Sequence, residues 1–156
     1  VALIRTEPAV LGYHDLMVHD YGPGRQFASL HVEMDHREDP MECHEIIDDL
    51  ERKCLEHHGV HLVIHYDPVA TDDPELERMR VVVASLLRMK DDAISIHDFR
   101  MVPGTSQTNL IFDISLPVRL SGQEKAIQAA LEAALNDLGE GHYHTVITFD
   151  PAELNQ

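Results

Sequence analysis

Histidine and aspartate side chains in the first half of the chain offer a set of metal ligands. Nine of the 12 histidines lie between His14 and His65. Imidazole nitrogen and carboxylate oxygen are ligands for borderline divalent metals such as zinc, cobalt, nickel and iron. The candidate ligands are His14, His31, His44, His65 and Asp67. Together they could hold one ion, or two ions bridged by the carboxylate.

A second arrangement of metal-binding residue types lies within one predicted helix. The stretch His44-Glu45-Ile46-Ile47-Asp48 is similar to the zinc-protease motif HExxH with Asp in the last position. No third-ligand motif follows it, and its acidic residues also fit a solvated helix face. The chain has no GxSxG, P-loop or Rossmann glycine pattern. We therefore expect a protein that is not an enzyme, and a hydrolase built on this helix remains an alternative.

Alternating strand patterns place three of the ligands on one face of a sheet. In residues 26–34, His31 points away from the aliphatic side chains, and His65 does the same in residues 60–66. Asp67 follows His65 by two residues and therefore shares its face. This face is open, so we expect solvent, the other half of the chain or another copy of the chain to cover it.

The other two ligands come from neighbouring elements. His14 lies in a strand predicted over residues 11–20, and His44 lies in the first turn of a helix. Asp39-Pro40 supplies the N-cap and first position of that helix, and Gly59 ends it.

The two halves of the chain repeat each other at an offset of 83 residues. Ile96-His97-Asp98-Phe99 corresponds to Tyr13-His14-Asp15-Leu16, and the stretch from His144 to Pro151 corresponds to that from His61 to Pro68. In the second half we predict helices beginning at Asp73-Pro74 and at a capping box, Ser121-Gly122-Gln123-Glu124. Its predicted strands cover residues 93–101, 109–116 and 143–149.

Each half therefore has the element order (α)ββαβ, which predicts an α+β fold. Each unit is a three-stranded sheet with helices on one face. The first unit covers residues 1–70 with most of its leading helix missing, and the second covers residues 71–156.

Composition excludes several function classes. The chain carries 12 Lys and Arg against 28 Asp and Glu, a formal charge of −16. Such a charge repels phosphate backbones, so we expect no nucleic-acid partner. No apolar stretch reaches the roughly 20 residues that a membrane span needs, and two cysteines are too few for a disulfide scaffold. Because the sequence begins at Val1 without Met, we expect it to be part of a longer protein.

Four separated segments resemble, in the same order, the cytoplasmic C-terminal domain of cation diffusion facilitator (CDF) transporters. They are Val10-Leu11-Gly12-Tyr13-His14-Asp15-Leu16, Ser29-Leu30-His31-Val32-Glu33-Met34, His44, and Val63-Ile64-His65-Tyr66-Asp67-Pro68. The resemblance covers about residues 9–68. It implies a metallochaperone-like, ferredoxin-like αββαβ fold that follows a transmembrane domain in the same full-length chain and forms a homodimer.

The resemblance also implies a function. In this family, metal bound at the dimer interface favours the closed dimer and promotes proton-coupled efflux of a divalent cation. The expected location is the cytoplasmic side of a cell inner membrane, and the expected metal is Zn2+, with Co2+, Ni2+, Fe2+, Mn2+ and Cd2+ also suited to the ligands. The family's ligand positions fall on His14, His31, His44, His65 and Asp67. A stand-alone metal buffer or chaperone and a purely structural domain remain alternatives.

The second unit resembles the family only weakly. His97 and Asp150 stand where the first unit has His14 and Asp67. The other three ligand positions hold Asp113, Ile127 and Thr148. We therefore expect a degenerate repeat, with His97, Asp113 and Asp150 as weaker candidate ligands.

Overall fold

The computed structural model describes residues 1–150, which divide into two compact units. The first is Val1–Val69 and the second begins at Ala70. The boundary predicted from sequence, between residues 70 and 71, lies one residue further along. Pro151 and the rest of the predicted second unit to residue 156 lie outside the described residues.

The first unit has a short helix, a three-stranded sheet and one long helix. Its elements are α1 (Ala2–Arg5), β1 (Gly12–Asp20), β2 (Gln26–Asp35), α2 (Pro40–His58) and β3 (Val60–Val69). The strand order is β1-β2-β3. Strand β2 runs antiparallel to β1 and parallel to β3, as a ββαβ connection requires.

Helix α2 begins and ends where its capping residues dictate. The Asp39 side chain accepts hydrogen bonds from the backbone N–H groups of Met41 and Glu42. Gly59, at φ 64°, adopts the left-handed conformation that ends many helices. The buried side chains of α2 are Cys43, Ile47 and Leu50, and they form the core with Leu30, Val32, Met34, Ile64 and Ile4. The helix face of the sheet is therefore fixed by these aliphatic residues.

Strand β3 continues further than predicted. The alternating pattern predicted a strand over residues 60–66, but the parallel pairing with β2 runs through Pro68 to Val69. Because β3 is the last strand of its sheet, a proline that lacks an N–H can be accommodated there. The extension places Asp67 inside a paired strand instead of at its end.

The second unit repeats this element order with a longer first helix. Its elements are α3 (Pro74–Lys90), β4 (Ser95–Pro103), β5 (Thr108–Ser115), a 3-10 turn (Val118–Leu120), α4 (Glu124–Asp137) and β6 (Tyr143–Asp150). Strand β5 is antiparallel to β4 and parallel to β6. The predicted α+β architecture of two tandem αββαβ units is confirmed.

The predicted capping box of α4 is wrong. The helix begins at Glu124, and its N-cap residue Gln123 makes no side-chain capping hydrogen bond. The Glu124 carboxylate instead accepts a hydrogen bond from the Gly122 backbone N–H. The preceding 3-10 turn occupies the chain just before Ser121, so this serine does not take the N-cap position.

None of the helices in residues 1–150 combines the length and the hydropathy that crossing a membrane requires.

Candidate metal centre

Strand register brings four of the five predicted ligands into adjacent rows on the face of the first sheet opposite α2. His14 of β1 lies opposite His31 of β2, which in turn lies beside His65 of β3. In the next row, Glu33 lies beside Asp67. Three imidazoles thus cross the sheet next to two carboxylates.

The Asp67 carboxylate is the centre of this group. Its Oδ2 lies 2.9 Å from Nε2 of His14 and 3.0 Å from Nδ1 of His31. Its Oδ1 lies 3.5 Å from Nδ1 of His65. One ligand atom each from His14, His31 and Asp67 can be chosen so that all lie within 4.8 Å of one another.

Burial decreases across the group. The side chains of His14 and Asp67 are 7% and 11% exposed, whereas the His31 side chain is 35% and the His65 side chain 71% exposed. One side of the group is therefore fixed within the unit. The side formed by His31 and His65 is accessible to an ion or to another molecule.

Electrostatics couple His14 and Asp67. Burial by itself would lower the pKa of His14, but hydrogen bonds to Asp67 and Asp15 and the charge of Glu33 outweigh it and raise this pKa above 6.5. Burial by itself would raise the pKa of Asp67, but hydrogen bonds from His14 and His31 outweigh it and lower this pKa below 3.8. The Asp67 carboxylate thus lies within hydrogen-bond distance of both ring nitrogens, and a divalent cation bound there must displace any proton that these nitrogens carry.

The carboxylates of Asp15 and Glu33 adjoin His14 and were not predicted as part of the site. Asp15 Oδ2 lies 3.2 Å from His14 Nδ1, and the fully buried Glu33 has its Oε1 3.8 Å from His14 Nε2. Strand alternation could have identified Glu33, because it points to the same side of β2 as His31. Alternation gives no such signal for Asp15, because a β-bulge interrupts β1 after His14.

His44 does not join the group that the structure assembles. It lies exposed in the first turn of α2, and the described cluster contains only His14, His31 and Asp67. The alternative hydrolase motif is also not assembled as a metal site. Its Asp48 carboxylate pairs with Arg52 at 3.1 Å, and His44 and Glu45 are exposed. The helix face is thus solvated and charged.

The second unit places its weaker candidates near one another without forming an equivalent group. His97 lies opposite Asp113 in the β4–β5 register, and Asp150 accepts a hydrogen bond from the Ser115 hydroxyl at 2.8 Å. Burial raises the pKa of Asp113, and the charges of Asp150 and Asp98 raise it further. Within residues 1–150, the group that meets the spacing of a metal site is the one in the first unit.

The donor set of the first unit fits a borderline divalent cation. Nε2 of His14, Nδ1 of His31 and the carboxylate of Asp67 would hold it. Two imidazoles and one carboxylate suit zinc and similar ions better than calcium or magnesium, which prefer oxygen ligands. Three ligands from one unit leave coordination positions for His65, water or another molecule.

Comparison with known proteins finds similarity in the first unit. Residues 1–69 match the family model described as "Cation efflux protein, cytoplasmic domain". The chain is 38% identical over 71 residues to a cation-efflux pump FieF of Yersinia enterocolitica, a match covering 45% of this chain and 23% of the relative. It is 40% identical over 75 residues to a cation-efflux pump FieF of Pectobacterium carotovorum, covering 47% of this chain and 24% of the relative.

The chain thus spans about a quarter of the length of these relatives. The topology of the first unit, its row of histidines beside Asp67 and the family match all concern the same residues, so the similarity of this chain to the cytoplasmic domains of cation efflux proteins lies in residues 1–69.

Proposed function

We propose that this chain is the metal-sensing and dimerisation part of a divalent-cation efflux transporter. A zinc-like ion binds at the His/Asp group of the first unit and favours the closed, transport-competent dimer. In this proposal the chain lies on the cytoplasmic side of the inner membrane and is joined to a transmembrane domain. It is not an enzyme.

One observation carries the proposal. A single carboxylate oxygen, Oδ2 of Asp67, lies within 3.0 Å of ring nitrogens from two different strands. The three residues are distant along the chain but are neighbours in strand register, so the sheet itself sets their spacing. A site built on paired strands is more rigid than one built on loops, which suits a sensor that must respond to binding.

Sensing follows from mass action on association. An ion that binds the closed arrangement and not the open one stabilises the closed arrangement by RT ln(1 + [M]/Kd), about 2.7 kcal/mol at a hundredfold excess over Kd. The acidic chain, at −16, also repels a second copy of itself. A divalent cation reduces that repulsion where it binds.

His65 and His44 are the ligands that depend most on another molecule or a second ion. His65 is mostly exposed and lies nearest to the other oxygen of Asp67, so a second ion sharing this carboxylate would bind beside it. His44 is exposed on α2 outside the described cluster. In the proposed dimer, it contributes to the site of another copy.

We also propose that the second unit is a degenerate repeat of the same domain. It retains the αββαβ topology, but Asp113 and Thr148 occupy positions equivalent to His31 and His65. Its role is then dimerisation or regulation, without an equivalent zinc site.

Calorimetric titration with zinc, combined with sedimentation, tests the proposal. The wild-type chain should bind zinc tightly and shift from monomer to dimer as zinc is added. The double variant His31→Ala plus His65→Ala should lose both responses. His57→Ala plus His58→Ala is the matched control, because it removes two exposed histidines at the far end of α2.

Two outcomes would contradict the proposal. Absence of a tight zinc site in the wild type, or unchanged binding in the His31/His65 variant, would remove the metal-sensing claim. Zinc binding without any change in sedimentation would indicate a metal buffer that binds the ion without dimerising, and not a sensor.

A further inference from the structure

Strand β1 is irregular at the residue that follows His14. His14 pairs with His31, and the next described pair is Met17 with Ser29. Two residues of β1 therefore oppose the single residue Leu30 of β2, which is a β-bulge. Asp15, the first of the two, has φ 52°, a left-handed conformation that side chains other than Gly, Asn and Asp rarely adopt.

The bulge directs the Asp15 side chain to the ring of the preceding histidine. Asp15 Oδ2 lies 3.2 Å from Nδ1 of His14, while Nε2 of the same ring lies 2.9 Å from Asp67. The imidazole is thus held between two carboxylates, one on each nitrogen. The Asp67 side is buried, whereas the Asp15 side chain is 58% exposed.

The two ring nitrogens of His14 therefore have different roles. The nitrogen next to Asp67 is the one that would bind an ion, and the other can donate its N–H to Asp15. A metal-binding histidine commonly donates its second N–H to a carboxylate, which fixes the tautomer and the ring orientation, and loss of such a partner typically lowers metal affinity 10- to 100-fold.

We propose that Asp15 is a positioning residue for the metal site, acting by holding His14 with Nδ1–H towards itself and Nε2 towards the ion. This inference rests on the proposed metal site in the first unit. Asp15 does not contact the ion; it acts through His14. The repeat of His14-Asp15 as His97-Asp98 marks this aspartate in the sequence, but it does not indicate contact with the histidine ring.

The second unit provides an internal comparison for the backbone role of this residue. Asp98 has φ 49° and lies in a bulge at the equivalent place, between the pairs His97 with Asp113 and Arg100 with Ile111. Here His97 Nε2 lies 3.3 Å from the Ser95 hydroxyl, and in residues 1–150 no hydrogen bond joins Asp98 to the His97 ring. The left-handed aspartate thus accompanies the bulge in both units, but it holds an imidazole only in the first.

The test uses two substitutions that keep the bulge and a control in the other repeat. Asp15→Gly accepts positive φ and removes the carboxylate, and Asp15→Asn accepts positive φ and keeps a neutral acceptor. Asp98→Gly makes the same backbone change away from the site. In zinc titrations of the whole chain, we expect a 10- to 100-fold loss of affinity for Asp15→Gly, a smaller loss for Asp15→Asn, and a change under about twofold for Asp98→Gly.

A second readout responds to the hydrogen bond and not to general stability. In the zinc-saturated wild type, the Nδ1 proton of His14 should give a slowly exchanging imidazole signal in NMR spectra, identified by its absence in His14→Ala. In Asp15→Gly this proton should exchange with water fast enough to be lost. In Asp98→Gly the signal should remain.

The outcomes separate this inference from the proposed function. If the wild type binds zinc and Asp15→Gly binds equally well with the proton signal retained, the role of Asp15 is refuted and the site stands. If Asp98→Gly weakens binding as much as Asp15→Gly, the effect belongs to the backbone and the role of Asp15 is again refuted. If the wild type does not bind zinc, the proposed site fails and this inference fails with it. If Asp15→Gly does not fold, the zinc affinity of Asp15→Asn shows whether the carboxylate of Asp15 supports binding.

Discussion

Asp67 concentrates the contacts of the proposed site on one residue. Its Oδ2 lies within hydrogen-bond distance of His14 and His31, and its Oδ1 is near His65. Charge-assisted hydrogen bonds of this kind are roughly twice as strong as neutral ones. Replacing this carboxylate therefore affects every imidazole of the group at once.

Substitutions within this group should lower zinc affinity by different amounts, according to the contacts that each side chain makes. We expect Asp67→Asn to lower zinc affinity by at least about 100-fold, because it removes the charge shared by the imidazoles. His65→Ala should cost less, since its side chain is mostly exposed and 3.5 Å from the carboxylate. Calorimetric titration of both variants measures these losses of zinc affinity. A larger loss for His65→Ala than for Asp67→Asn would contradict the prediction.

Zinc affinity should depend on pH through His14. Because its pKa is raised above 6.5, protonation of His14 stabilises the fold below that pH, and this stabilisation is lost as pH rises through the raised pKa. An ion at Nε2 competes with the same proton. We therefore expect zinc affinity to rise from about pH 6 to about pH 8 with release of protons. Calorimetric titrations in buffers of different ionisation enthalpy measure the zinc affinity and the number of protons released. A zinc affinity independent of pH would contradict this role of His14.

Strand periodicity decides which of the site residues can be identified from the sequence alone. Alternation along β2 and β3 puts His31, His65 and Asp67 on one face, and the register agrees. The contact between Asp15 and His14 could not be derived, because a bulge interrupts the period of two on which the argument rests. His44 could not be placed either, since helix spacing does not relate a residue of α2 to the far face of the sheet.

The predicted N-cap residues of the helices can be compared with the hydrogen bonds that the structure shows. The sequence contains capping signals at Asp39, Asp73 and Ser121. Asp39 accepts backbone hydrogen bonds from Met41 at 2.8 Å and Glu42 at 3.2 Å, and Asp73 accepts one from Glu75 at 2.9 Å, whereas Ser121 is not an N-cap. Asp39→Ala should destabilise the first unit by about 1 kcal/mol. Ser121→Ala should change stability by less than about 0.5 kcal/mol, as for an ordinary surface residue.

Denaturant unfolding followed by circular dichroism compares these two variants. Equal destabilisation by both would contradict the assignment of the N-cap residues. The sequence predicted the start of α2 well because Asp, Pro and Glu act locally. It failed at α4 because the preceding 3-10 turn, which has no strong local signal, decides where the helix begins.

Strand β3 shows how tertiary context overrides a local signal. Asp67-Pro68 looks like the end of a strand because proline cannot donate a backbone hydrogen bond. The pairing of Met34 with Pro68 and of Asp35 with Val69 nevertheless continues the ladder. Only the position of β3 at the edge of its sheet makes this possible, and strand order is not written in the local sequence.

At the scale of the whole molecule, the 83-residue repeat predicted two units of one topology, and the structure has two αββαβ units. Topology could be predicted because each unit carries its own caps and alternating strands. The difference between the units lies in a few side chains. Asp113 lies where the first unit has His31, which changes the donor set without changing the fold.

Net charge should govern association in the absence of divalent metal. Two copies at −16 repel each other, and salt weakens that repulsion by shortening the Debye length from about 30 Å at 0.01 M to about 8 Å at 0.15 M. We expect metal-free self-association, measured by sedimentation in the presence of a chelator, to increase with ionic strength. Self-association that falls as salt is added would indicate attraction between opposite charges instead.

The decisive experiment on the metal site is a crystal structure of the zinc-bound chain, with anomalous scattering measured at the zinc absorption edge. We expect an anomalous peak about 2.0–2.2 Å from His14 Nε2, His31 Nδ1 and an Asp67 carboxylate oxygen. Zinc peaks confined to other residues, with these three side chains still hydrogen-bonded to one another, would contradict this expectation.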